Sequence, residues 1–188
     1  MNNKIIIIPI VMILLFSIFS GCTDQNDTTN TNSGTVYHDE NFIDWARYTS
    51  IPNLKTKAEK IFSDLTYYSE LTAQSSSHDY LDYAINRMKQ DYPTLESHIN
   101  IYSSEFDTYI LSSNCKKVSD CFVSGIENIT ESLTLLKEGI DYFDSYEGNT
   151  FTITDKEEMN QIFSSASIKA NSAITIFNEC LNTINLNF

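Results

Sequence analysis

The 188-residue chain has no HExxH, GxSxG, P-loop or GxGxxG stretch. The commonest zinc-protease, serine-hydrolase and nucleotide-binding chemistries therefore have no foothold in it. It has only three histidines, His38, His78 and His98. Glu96 and His98 stand two apart and so point to different sides of a helix, unlike the Glu-x-x-His of di-iron bundles. A CxxC pair, which a zinc or thiol redox site would want, is also missing. Serines are plentiful, but none sits in a nucleophile motif, and they read as solvated or capping residues. Basic residues are few: 12 Lys and Arg against 25 Asp and Glu leave a formal net charge of -13, which repels nucleic-acid phosphates. The acids Asp141, Asp144, Glu147, Asp155, Glu157 and Glu158 crowd one connection without EF-hand spacing, since Phe143 stands five residues before Gly148 where an Asp ligand is required. They read as helix caps in solvent. These absences point to a non-enzymatic protein with no cofactor and no metal.

What the chain does have begins at its N-terminus. Lys4 precedes about 15 apolar-rich residues, Ile5 to Phe19, a signal-peptide length that is short of the roughly 20 needed to span hydrocarbon. Pro9 interrupts that run. Ser20 and Gly21 are small, and Cys22 follows them with a nucleophilic sulfur. The Phe19-Ser20-Gly21-Cys22 stretch resembles the lipobox of prokaryotic lipoproteins, bacterial or archaeal. Phe19 departs from the aliphatic residue the family prefers at its position. The resemblance implies cleavage after Gly21, a diacylglyceryl thioether and further acylation such as palmitate on Cys22, and a domain held on the extracytoplasmic face of the cell membrane. On this reading residues 1–21 are the signal peptide, 22–36 the acylated cysteine and a polar tether, and 37–188 the folded domain. Thr23 to Thr35 carries no residue able to join a core, and as flexible chain it would hold the domain about 20 Å from the anchor on average. Loss of Lys4 with the signal peptide makes the remaining chain one unit more acidic.

From Phe42 onward, apolar residues recur three and four apart in four long segments. The first is Ile51, Leu54, Ala58, Ile61, Leu65 and Tyr68, preceded by Phe42, Trp45 and Tyr48, with Pro52 expected to start or kink the helix. The second runs from Leu81 to Tyr109 and is regular enough to override Pro93. The third runs from Phe122 to Phe143 with strict 4-3 spacing. The fourth runs from Met159 to Ile184, with Thr154 and Glu157 expected as its capping box. No segment sustains strand alternation, so the fold class is all-α. Short connections at Gln74 to His78, Ser112 to Ser119 and Ser145 to Thr154 predict an antiparallel up-down-up-down four-helix bundle. The same spacing suits an elongated coiled coil that dimerises.

The expected site residues follow from that topology. In an oxidising exterior two of Cys115, Cys121 and Cys180 should pair. Geometry leaves all three pairings open; a local Cys115 to Cys121 staple is preferred because Cys180 falls on an apolar stripe where a thiol packs as a small hydrophobe. Asn26 and Asn128 stand in glycosylation sequons, with Asn128 expected on the outer face of the third helix. Lys116 and Lys117 are expected at the membrane-proximal end, each adding about 1 kcal/mol of attraction to anionic headgroups. Tyr80 and Tyr146 at the opposite tip are expected partner contacts, while Tyr67, Tyr83 and Tyr142 lie off or beside the stripes. The expected function is a docking or structural module of the cell envelope, serving another exported protein. A sensor or carrier bundle holding a small ligand or metal between its helices is the alternative.

Overall fold

The computed structural model describes residues 37–74, 78–145 and 152–188. Cys22, Asn26 and Tyr146 lie outside the described residues, as does the side chain of Tyr80. The described chain is all-α. Helix α1 (Asp39–Trp45) leads through one π-helical turn (Ala46–Ser50) into α2 (Ile51–Gln74), and α3 (His78–Phe106) follows. A short 3-10 turn (Ser113–Cys115) then opens α4 (Lys116–Asp144), and α5 (Ile153–Asn187) ends the chain. Among the described residues no helix is long and apolar enough to cross a membrane.

The first helical path begins well before Pro52. Asp39 and Glu40 occupy its first turn, where carboxylates favour the helix dipole. Pro52 has no amide to offer the carbonyl of Tyr48, and the widened turn falls immediately before it. There the Ile51 amide donates to the Ala46 carbonyl, and the Asn53 side-chain amide donates to the Thr49 carbonyl at 2.6 Å. Pro52 thus lies in the first turn of α2, beside a local change of winding. Pro93 lies inside α3 on an exposed position, where water can satisfy the carbonyl it leaves unbonded.

The apolar stripes form the core. Every named residue of the first stripe from Ile51 to Tyr68 is buried, as are Met159, Phe163, Ala166, Ala170, Ala173, Phe177, Cys180 and Ile184 of the fourth. Along α4 and α5 the contact partners run in opposite order. Cys121 meets Cys180, Gly125 meets Phe177, Ser132 meets Ala166 and Gly139 meets Phe163. Gly125, Ser132 and Gly139 are one heptad apart, and small residues at these positions, with Ala166 opposite Ser132, let the backbones close up. A Cβ added at Gly125 would lie 2.3 Å from Phe177 Cε1, and one at Gly139 would lie 2.1 Å from Phe163 Cε1. Each glycine is the recess for a phenyl ring. The Ser132 hydroxyl, fully buried, donates to the Ala166 carbonyl at 2.7 Å.

Two local expectations are corrected. The cap of α5 lies two residues earlier than Thr154: the Thr152 hydroxyl accepts from the Asp155 amide at 3.2 Å, and Asp155 accepts from the Thr152 amide at 2.8 Å. Thr152 takes the role because its backbone is extended, whereas Thr154 is already helical. The bridge joins Cys121 to Cys180, with Cα atoms 5.7 Å apart, and Cys115 is the free thiol. α4 begins at Lys116, so the six residues from Cys115 to Cys121 rise about 9 Å along a helix, beyond disulfide reach. Asn128 is half-buried, and its side-chain amide donates to the Ser124 carbonyl one turn back on the same helix.

Candidate functional site

The end at which residue 37 enters is held together by polar ties across the sequence. The His38 amide donates to the Ile110 carbonyl at 2.9 Å. One Asp39 oxygen accepts from the Ser112 amide at 2.9 Å and the other from the Ser112 hydroxyl. These bonds hold the Asp39 carboxyl below the usual carboxylate range. The Arg47 guanidinium donates to the Ile184 carbonyl at 3.3 Å. Chain entry, the α3–α4 connection and the last turn of α5 therefore share one end.

Beneath those ties Phe42, Trp45, Tyr102, Phe106, Tyr109 and Phe122 form one aromatic cluster, with centroids as close as 4.9 Å between Phe106 and Phe122. The Trp45 indole donates to Glu105 at 2.9 Å. Burial, then the Glu105 charge, raises the phenol pKa of Tyr102 and of Tyr109. Burial, reinforced by the Asp39 carboxylate, pushes the Cys115 thiol up to about 11. A thiol so held is protonated at neutral pH and a poor nucleophile. Lys116 and Lys117 are exposed here; Lys116 pairs with Asp120 at 2.8 Å.

Toward the α2–α3 connection the surface changes character. Asp64 is 3% exposed, and its carboxylate takes Lys60 at 2.6 Å and Arg87 at 2.9 Å. Lys60 also reaches Asp91 at 2.5 Å. Burial opposes the charged amine of Lys60, but its bonds to Asp64 and Asp91 outweigh that, and its pKa is raised. Arg87 lies 5.6 Å over the Tyr67 ring, which meets Tyr83 edge-on at 6.3 Å. Tyr83 is 62% exposed. Sequence reasoning placed Tyr67 and Tyr83 beside the stripes but missed Asp64. Its spacing, three after Ile61 and four before Tyr68, fits the inward face, but a carboxylate there reads as solvated. Only Lys60, four residues before it, and Arg87 on the facing helix make that burial tolerable. Tyr142 is half-buried, and its hydroxyl donates to Glu158 at 2.7 Å. Of the acids crowding the last connection, Asp141 pairs with Lys137 and Asp144 with Lys89.

A third feature is a groove of about 470 Å³ between α2 and α5. Ser69 and Glu70 line it from α2, and Asn160, Ser164 and Ser167 from α5. Its floor is Leu65, Tyr68 and Phe163, with the two rings packed edge-on at 4.7 Å. The Tyr68 hydroxyl donates to Asn160 Oδ1 at 3.1 Å, and burial raises the phenol pKa. Among the described residues no group of three or more His, Cys, Asp and Glu is arranged to hold a metal ion.

No family model, curated protein or solved structure matches this chain.

Proposed function

We propose that this protein is a lipid-anchored lipoprotein whose helical domain docks another exported protein at the outer face of the membrane. The four long helices form an up-down-up-down bundle in this reading. The opposite order of partners along α4 and α5 supports that, as do Lys60 against Asp91 and Asp64 against Arg87 along α2 and α3. Cys22 carries the anchor, and the end that receives the tether, with Lys116 and Lys117, is the membrane-proximal one. A bridge between Cys121 and Cys180 suits an oxidising exterior.

The observation that carries docking is the set Tyr67, Tyr83 and Arg87, remote from chain entry and partly open to solvent. Tyrosine and arginine are the residue types that concentrate binding energy at interfaces, and here each ring is steadied by its neighbour before a partner arrives. Photocrosslinkers at Tyr83 and at Lys117, in membranes carrying the full-length protein, test the reading. Protein adducts at position 83 with lipid adducts at 117 are expected. Protein adducts confined to 117 would reverse the orientation and end the docking assignment. Cys22→Ser should move the protein out of the membrane fraction, since two acyl chains hold stably and none does not.

A further inference from the structure

We infer that the α2–α5 groove is a binding site for a neutral saccharide, an assignment that does not depend on the docking reading. The groove has the size of a small-ligand site. Its one charged lining residue is Glu70, which disfavours anions, and a single carboxylate does not make a cation site. Hydroxyls and a carboxamide stand beside the apolar Leu65, Tyr68, Phe163 and Ile168, a lining that suits a ligand with both hydroxyl groups and an apolar face.

The hydrogen-bonding state of those groups is selective. Elsewhere on α5, Ser165 donates back to the Gln161 carbonyl at 2.9 Å and Ser172 to the Ile168 carbonyl at 2.9 Å, as helix serines commonly do. The groove serines Ser164 and Ser167 do neither, although the same helix offers them the same kind of acceptor. The Asn160 amide uses its oxygen for Tyr68, which leaves its two N–H donors for a ligand. Across the groove, Thr66 and Thr72 donate to the Phe62 and Ser69 carbonyls, so their hydroxyl oxygens face a ligand as acceptors. Donors on one wall and acceptors on the other match sugar hydroxyls, each of which both donates and accepts. The Tyr68 and Phe163 rings, 2% and 3% exposed and locked edge-on, close the base of the groove rigidly without presenting a ring face.

Saturation-transfer NMR on the full-length protein, in a detergent without a sugar headgroup, tests this with maltose and diacetylchitobiose at millimolar concentration. Transfer to ring protons of at least one disaccharide is expected. The double variant Ser164→Ala and Ser167→Ala should bind roughly tenfold more weakly, the effect of losing two modest hydrogen bonds. Ser165→Ala should bind as the parent does. Alanine is the better helix former, so the variants keep the fold, and circular dichroism verifies it. No transfer to either disaccharide, or equal affinity in the double variant, would overturn the assignment.

Discussion

The α4–α5 seam and the α2–α3 seam solve the same packing problem by opposite means. α4 meets α5 through glycine, serine and alanine, with phenyl rings set into the glycine recesses and a disulfide at one end. α2 meets α3 near their connection through a buried carboxylate, two cations and a pair of tyrosine rings. Small residues bring backbones close and leave no room for adjustment, whereas long charged side chains bridge a wider gap and keep one end in water. The first seam is suited to stability and the second to presenting a surface.

The largest effect should come from the bridge. Opening Cys121 to Cys180, 59 residues apart in sequence, should cost about 4 kcal/mol. Urea denaturation with and without reductant measures it, and an unchanged midpoint would remove the covalent half of the comparison. Gly139→Ala comes next. Alanine gains about 1 kcal/mol in helix propensity, but its Cβ would meet the Phe163 ring at 2.1 Å in a filled core. A net loss of about 2 kcal/mol is expected; a stabilised variant would show that the seam is not closed.

Alkaline pH probes the entry end, where Cys115 leads into α4. The Cys115 pKa is raised from 9.0 to about 11, so the unfolded thiol ionises first. Its contribution is complete below pH 9 and is lost as pH rises toward 11, on the order of 2 kcal/mol. Thermal melts of the parent and Cys115→Ala across that range should converge at the alkaline end. The smallest expected effect belongs to the charged seam. Asp64→Asn keeps the shape but removes the charge facing Lys60 and Arg87. Both cations are partly exposed and can rehydrate, so about 1 kcal/mol is expected. If it exceeds the loss from Gly139→Ala, the division of labour between the seams is wrong.

The helices and their inward faces were legible because backbone periodicity is a local property. Ile51, Leu54, Ala58 and Ile61 repeat at helical spacing whatever they pack against, and all four are buried. Asp64 was illegible for the converse reason: an acid between Ile61 and Leu65 reads as solvated until the facing helix supplies Arg87. The groove serines were equally hidden, since Ser164, Ser165 and Ser167 are alike in sequence and differ only in what lies opposite them.

By itself the sequence determined the all-α class, the four apolar stripes and the acidic surface, and it carries the resemblance to a lipoprotein leader. Tertiary structure decided which cysteine Cys121 meets, where the phenyl rings seat, which acid is buried and where a groove stays open. Those outcomes depend on how far one helix is displaced along another. That displacement is set by the fit of many side chains at once, so no single segment contains it.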